Sequence, residues 1–339
     1  MQARVNVLTL CCTLFVLQSA FAIAANADET ESDWIPRTSE QSGRTRWVPS
    51  LAVVSGLTAQ KWDGDTSATC LGCDLPATVP TALRPSESGN HTDVTPSVGG
   101  QFQLMTPELP IPTRPRFFVG GDVGAAFGAD RILANEGNVG KIRSPLPAAS
   151  QGSVPFDENG ALGQGSEVRA QFQTLLIGAE AGIAFPLKFL GRQFRVKPSV
   201  GWIRYQIEAN GAVSDAECRL VGGTPPTNCN PNVLPGPGVL RAIELSATDS
   251  GTFDGVGGGL DLEMDVLRLG PLGGSLFLGG QVFDVLGPRK LEFHDGASFP
   301  NSGFPGLGAA TTSADWRVEV NELMFRAGLG LRLSWVGYD

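Results

Sequence analysis

Residues Trp316 to Trp335 read WRVEVNELMFRAGLGLRLSW. From Leu323 onward one alternating set is Leu323, Phe325, Ala327, Leu329, Leu331, Leu333 and Trp335, and the set between is Met324, Arg326, Gly328, Gly330, Arg332 and Ser334. A period of two marks a strand with one apolar face and one polar or small face. On a soluble sheet so long an apolar row invites aggregation, whereas a strand in lipid requires it, because its other face looks into a polar barrel interior. The stretch therefore predicts the closing strand of an outer-membrane β-barrel, paired with a first strand around Leu51 to Leu57.

The other end of the chain carries an export signal. Met1 to about Ala27 has Arg4, an apolar run from Val5 to Val16, and then small residues at Ala22, Ala24, Ala25 and Ala27. That is the three-part pattern of a secretory signal peptide, with Ala22-Ile23-Ala24 and Ala25-Asn26-Ala27 as rival cleavage sites. The run is well short of the roughly 20 residues that a transmembrane helix needs. No later stretch is a continuous apolar span, so any membrane crossing has to be made by strands. Residues 28–46 are polar and charged and read as a flexible periplasmic leader. Residues 47–339 are then expected to form one barrel domain.

Composition agrees. The chain has 44 Gly and 24 Pro in 339 residues, and glycine serves tight turns and a crowded lumen better than it serves helix or strand interiors. The net charge of −9 argues against a nucleic-acid partner. Four cysteines follow the signal in two local pairs, Cys70 with Cys73 and Cys218 with Cys229. In an oxidising compartment such pairs read as loop-tying disulfides. Covalent haem attachment is excluded because Asp74 stands where a histidine is needed, and zinc is disfavoured by the wide second spacing. No cofactor is expected.

Between the ends the chain shows one layout three times over, two strands joined by a short turn and followed by a long polar segment. The hairpins are expected at about 94–128, 167–209 and 252–286, with turns at Pro107 to Pro115, Pro186 to Gly191 and Leu269 to Gly273. Adding strand one, Trp47 to Ala59, and the terminal strand gives eight strands, all antiparallel. The segments 61–93, 129–166, 210–250 and 287–315 are then four long outer loops, since short periplasmic turns alternating with long external loops are the habit of outer-membrane barrels. An even strand count puts both termini on the turn side. In the strand from Gln193, the apolar set changes phase after Trp202, to Ile203, Tyr205 and Ile207, which suggests a bulge or the upper edge of a membrane.

The polar face of these strands supplies the site candidates. The expected lumen charges are Asp122, Glu180, Arg195, Lys197, Asp261, Glu263, Asp265, Glu322, Arg326 and Arg332. An eight-stranded barrel has room for side chains or one small ligand but not for a wide channel. The bland expectation is a plug of satisfied ion pairs; the sharper one is a narrow solute path walled by Asp261, Glu263 and Asp265. The two histidines after the signal, His91 and His294, fall in predicted loops and away from any serine on a strand, so no catalytic residue is assigned. The run Gly255 to Gly259 precedes a strand and not a helix, and so is not a nucleotide loop. Asp63-Gly64-Asp65 lacks the rest of a calcium loop. Trp47, Trp62, Trp202, Trp316, Trp335 and Tyr338 lie near predicted strand ends, where an interfacial aromatic girdle would put them.

With its signal peptide, eight strands, three short turns and the terminal Leu329-Gly330-Leu331-Arg332-Leu333-Ser334-Trp335, the chain resembles the small outer-membrane barrels of Gram-negative bacteria, the OmpA-like and OmpW-like group. The resemblance covers about Trp47 to the end. It implies residence in the outer membrane, with outer-membrane lipid and lipopolysaccharide as surroundings and the barrel-assembly machinery as a partner during insertion. It differs in its last residues, since such families typically end on an aromatic residue and this chain has Tyr338 followed by Asp339. No peptidoglycan-binding domain is expected after the barrel. The function implied is a non-enzymatic envelope barrel whose outer loops bind a ligand the sequence does not specify. The alternatives are a narrow channel for small, including hydrophobic, solutes and a lipid-modifying enzyme.

Overall fold

The structure is a computed structural model, and it describes residues 46–71, 80–137, 152–153, 165–189, 192–220, 238–299 and 310–336. The expected signal peptide and nearly all of the leader lie outside these residues, as do Cys73, Cys229 and Tyr338. Every regular element among them is a strand: β1 Val48–Leu71, β2 Pro80–Met105, β3 Arg116–Ala126, β4 Arg131–Gly137, β5 Gly152–Ser153, β6 Gly165–Phe189, β7 Arg192–Leu220, β8 Gly238–Leu269, β9 Leu272–Leu286, β10 Lys290–Phe299 and β11 Ala310–Trp335. All pairings are antiparallel. β3 with β4, and β9 with β10, act as single staves that are interrupted once. Counted that way, eight staves form a ring. The ring closes where the terminal stretch meets the first strand, in a register that sets Leu51 opposite Leu333 and Leu57 opposite Ala327.

The short connections all lie at one end, between Met105 and Arg116, Phe189 and Arg192, and Leu269 and Leu272. The first and last described strand residues, Val48 and Trp335, lie at that end too, opposite Met105 and Leu272. At the other end the strands run much further than the sequence suggests. β1 and β2 continue through most of 61–93, β7 and β8 through much of 210–250, and β10 and β11 through most of 287–315. These segments, expected as outer loops, are largely sheet. They look like loops because their outward residues are Asp, Ser, Thr and Glu, and because prolines such as Pro96 punctuate β2. Proline fits there because the ladder of β2 with β3 ends at Ser97, so the missing amide of Pro96 breaks no ladder bond, while its carbonyl still accepts from the Phe127 amide at 2.9 Å.

The outer part of the ring is no longer a closed barrel. β2 leaves β3 at Ser97, and β4 pairs with β6 instead. β8 leaves β9 at Asp254, and β10 pairs with β11 instead. Among the described residues, two seams without a hydrogen-bonded ladder thus open on opposite sides, between β2 and β4 and between β8 and β10. The ring splits into two sheets, β2-β1-β11-β10 and β4-β6-β7-β8, that face each other. Side chains bridge the seams: Arg131 Nε donates to Asp93 at 2.9 Å, and the Ser246 amide to Asp295 at 3.0 Å.

Four irregularities fall at one height: the breaks at 127–130 and 287–289, with Gly287 at φ 76°, the register shift of β6 between Phe172 and Leu176, and that of β11 opposite Gln60 and Trp62. Others lie further out, at Thr66 to Thr69 of β1 and Ile132 to Ala134 of β4, and one lies at the turn end, at Asp265 to Leu267 of β8. The ladder of β7 and β8, by contrast, is unbroken from Phe194 to Leu220. The phase change near Trp202 is therefore no bulge in that ladder. Apolar residues pass from the outer face to the inner face of a continuous strand.

That exchange runs round the ring. Near the turns, Leu51, Val53, Val119, Val123, Val200, Leu260, Leu278, Phe325 and Leu333 point outward and are exposed. In the outer part a buried cluster fills the interior, including Trp62, Phe172, Ile203, Tyr205, Ile207, Phe253, Phe293 and Trp316. The two sheets approach closely enough that a Cβ on Gly211 of β7 would lie 2.2 Å from the Trp316 ring of β11. Only glycine fits at that crossing. Trp62 and Trp316, expected in an interfacial girdle, are instead core residues of the outer part, while Trp47 and Trp335 are exposed at the turn end.

Candidate functional site: the charged lumen

Inside the turn-end half, alternation from five staves, β2, β7, β8, β9 and β11, brings polar side chains to one level. At its centre is Glu263 of β8, with 0 % of its side chain exposed. Its carboxylate accepts from Arg332 Nη1 at 2.6 Å, Arg195 Nη2 at 3.0 Å, Lys197 Nζ at 3.1 Å and Ser275 Oγ at 2.6 Å. Arg332, 1 % exposed, also donates to Gln103 Oε1 at 2.8 Å and lies over the Phe277 ring, 4.7 Å from its centroid. Lys197 lies 4.7 Å over Phe118 in the same way. Buried charges persist when paired and hydrogen-bonded, and Glu263, Arg332 and Lys197 are both.

A second tier lies one step outward. Glu180 accepts from Gln101 at 2.7 Å and from Gln103 and Gln281 at 3.3 Å each. Arg326 Nη1 donates to Asp122 at 2.7 Å. Asp261, also buried, lines a cavity of about 40 Å³ together with Gln101, Asp122, Gln281 and Arg326. That space suits a few waters, not a ligand, because small-molecule pockets run to several hundred Å³. Asp265 lies at the turn-side mouth, half exposed, in an ion pair with Arg195.

Nine of the ten lumen candidates, four bases and five acids, thus line one interior, most of them joined around Glu263 and Arg332, with Arg326 and Asp122 as a further pair. Glu322 does not. Three residues of β11, Asn321 to Leu323, stand opposite Lys61 alone, so the bulge throws Glu322 outward, where its side chain is 63 % exposed and pairs with Arg289 at 3.2 Å. Strict alternation predicts an inward residue, and the bulge overrides it. The reading by charge also passed over neutral members of the network, Gln101, Gln103 and Ser275. Their signal was present in Gln101-Phe102-Gln103-Leu104, which alternates as cleanly as the terminal strand does.

Above the network the lumen is closed by the apolar cluster. At the junction Gln60 Nε2 donates to the Tyr205 hydroxyl across the ring at 2.7 Å, and Trp62 Nε1 donates to Gln60 Oε1 at 3.2 Å. The Tyr205 ring is stacked on Phe253 and tilted against Phe172. Burial pushes the Tyr205 hydroxyl well above the ordinary tyrosine range, only partly offset by the hydrogen bond from Gln60.

Both histidines lie on strands and not in loops: His91 on β2 opposite Trp62, and His294 on β10 opposite Asp315. His294 borders an outer cleft of about 630 Å³ with Asp65, Glu87, Glu292, Asp315 and Arg317. Ser67 of β1 is the next partner of Asp315, so the row runs His294, Asp315, Ser67. The acid stands between the other two. Serine and histidine are then two strand spacings apart, about 9 to 10 Å, too far for the base to take the hydroxyl proton directly. Cys70 is buried at the outer end of β1, and Cys218 lies on β7 opposite Leu240. Their expected partners, Cys73 and Cys229, fall outside the described residues.

No protein-family model matches the chain, and no curated protein matches it. Among solved structures it is similar to the Salmonella SPI-1 type III secretion injectisome basal body proteins InvG, PrgH and PrgK. That likeness has 11 % identity over 83 % of this chain and 45 % of the other, with a TM-score of 0.11. A Pseudomonas aeruginosa FadL homologue shows 9 % identity over 84 % and 90 % of the two chains, with a TM-score of 0.14. This chain spans less than half the length of the first. At such TM-scores neither likeness bears on fold or function. What stands is the architecture itself, an all-β ring of eight antiparallel staves around a charged network.

Proposed function

We propose that this protein is an integral outer-membrane β-barrel of a Gram-negative bacterium, a non-enzymatic envelope barrel whose outer extension faces the cell exterior and carries any recognition. The observation that carries the reading is the ion network around Glu263 and Arg332, almost wholly buried, which fills the lumen beneath an apolar core. A scaffold tolerates such a plug. A channel would have to break it with every passage.

The exposed band supports a lipid surrounding. From Leu323 to Trp335, β11 rises about 40 Å along its axis at ~3.4 Å per residue, or about 28 Å across a bilayer at a tilt of ~45°. That matches the apolar band of outer-membrane barrels, about 25 Å. A signal peptide at the start of the chain and closure of the sheet edge within the band, which lipid demands, point the same way.

Two measurements test the reading. Refolded protein on an unheated gel is expected to run as a compact, heat-modifiable species, and recovery from the soluble periplasmic fraction would refute the membrane assignment. In planar bilayers the protein is expected to give no openings above background, and a stable unitary conductance would favour the narrow channel instead.

A further inference from the structure

The two tiers of the lumen are not balanced alike. The first sets Arg195, Lys197 and Arg332 against Glu263 and Asp265, three bases to two acids. The second sets Asp122, Glu180 and Asp261 against Arg326, three acids to one base. Taken together, these residues leave the interior one positive charge short.

The deficit falls on one side chain. Asp122 accepts from Arg326, and Glu180 from three glutamines, but Asp261, 6 % exposed, has no hydrogen bond and no ion pair among the described residues. Lys197, Arg332 and Arg326 act on it only through space, the first two being engaged by Glu263 and the third by Asp122. A buried carboxylate left in that state is costly. On β8 it stands opposite Gly279 of β9, where a Cβ would overlap Oδ1, and Asp122 of β3 stands opposite Gly178 of β6 in the same way. Glycine at both positions lets the carboxylates lie against the neighbouring strand. Both acids line the cavity of about 40 Å³, together with Gln101, Gln281 and Arg326. Gln281 uses its amide nitrogen on Glu180, so its carbonyl oxygen remains as an acceptor on the cavity wall.

We propose that this cavity binds one small monovalent cation of the size and hardness of sodium, with Asp261 as its principal ligand and Asp122 Oδ1, the Gln281 carbonyl and water completing an all-oxygen shell. A space of about 40 Å³ is too small for an organic molecule but takes an ion and about two waters. Oxygen donors suit a hard cation. A divalent ion wants more carboxylates than converge here, since no group of three or more acidic, histidine or cysteine side chains comes within reach of one metal among the described residues. The bound ion is a fixed counter-ion that completes the charge balance of the plug and does not permeate. The inference concerns the lumen and does not rest on the membrane reading.

The test is urea unfolding of the refolded full mature chain in zwitterionic micelles at constant chloride, with sodium chloride replacing choline chloride, whose cation is too large for the cavity. The expected result is a saturable rise of about tenfold in the ratio of folded to unfolded protein between none and ~0.3 M sodium, as a dissociation constant of ~30 mM gives. Asp261→Asn removes the sodium response, and in choline this variant is at least as stable as the native chain, because the unpaired buried charge is gone. Asp254→Asn, on the outer face, keeps the response. A native chain that is equally stable in both salts overturns the site. So does a sodium response that survives Asp261→Asn, or one that micromolar calcium reproduces. Should Asp261→Asn not refold, sodium NMR of the native protein decides: line broadening by the folded chain alone supports the site, and equal broadening by the folded and the urea-unfolded chain overturns it.

Discussion

The two halves of β1 carry the same alternation in opposite senses. Near the turns Leu51, Val53 and Leu57 face outward while Ser50, Thr58 and Gln60 face inward; further along, Asp63, Asp65 and Ser67 face outward while Trp62, Ala68 and Cys70 face inward. β7 does the same, with Val200 outside and Lys197 inside at one level, then Arg204 outside and Tyr205 inside at the next. Backbone and period are unchanged, so the difference lies in what surrounds the strand. In water the apolar face must turn inward, as in any sandwich core. In lipid it is free to turn outward, and the interior can hold charges provided they pair with one another. On the proposed membrane placement, the chain sets a soluble-type sandwich on top of a membrane-type barrel, and the breaks and bulges near Gln60, Phe172 and Gly287 mark the level where one becomes the other.

The comparison is most severely tested at Glu263. Replacing it with alanine strands Arg332, Lys197 and Arg195 around an empty position, which is expected to cost about 3 to 5 kcal/mol in urea unfolding of the vesicle-inserted protein. A loss under about 1 kcal/mol would mean that the network does not hold the lower half together. In the outer half the equivalent wound is Trp316→Ala. It leaves a cavity against Gly211 and Phe293 and should cost about 3 to 4 kcal/mol. Its signature should be local: faster hydrogen exchange in the outer parts of β10 and β11, with the heat-modifiable lower barrel intact. Global unfolding would show that the two halves form one cooperative unit.

A matched pair sharpens the outer faces. Val53, 67 % exposed, and Ser67 lie on the same face of β1 at different heights. Val53→Arg is expected to cost about 2 to 4 kcal/mol in a bilayer, and Ser67→Arg less than about 0.5 kcal/mol. Equal costs would remove the difference in surroundings. The smallest effect is a titration. Burial raises the Tyr205 hydroxyl in the folded state, so folding favours its neutral form. That contribution is complete below the unfolded value of about 10 and is lost as pH rises beyond it. In a Tyr338→Phe background no tyrosinate absorbance should then appear at pH 10 to 11 until the protein unfolds; a normal titration curve would mean the junction is wet.

The two cases in which alternation failed have one cause. Glu322 is of the same parity as Met324 and Val320, both inward, yet it faces out because two extra residues are accommodated at that level. The apolar residues Ile203, Tyr205 and Ile207 look like a slipped strand, yet their ladder with β8 is continuous, and the register shift at this level belongs to β6. In each case the pattern is local, and the change of surroundings that gives it meaning is not.

The sequence by itself determined the strand period, the antiparallel hairpins with their three short turns, the pairing of Leu51 to Leu57 with the terminal strand, and most of the charges that meet inside. These follow from side-chain alternation and turn chemistry, which act over a few residues. Tertiary structure alone decided how far the strands run, where the ring splits into two sheets, and which acid each base meets: Arg332 with Glu263 and Arg326 with Asp122, partners far apart in the chain. Polar outward residues look the same on a loop and on the water-facing side of a sandwich. Only the apolar residues behind them, gathered from seven staves into one core, distinguish the two.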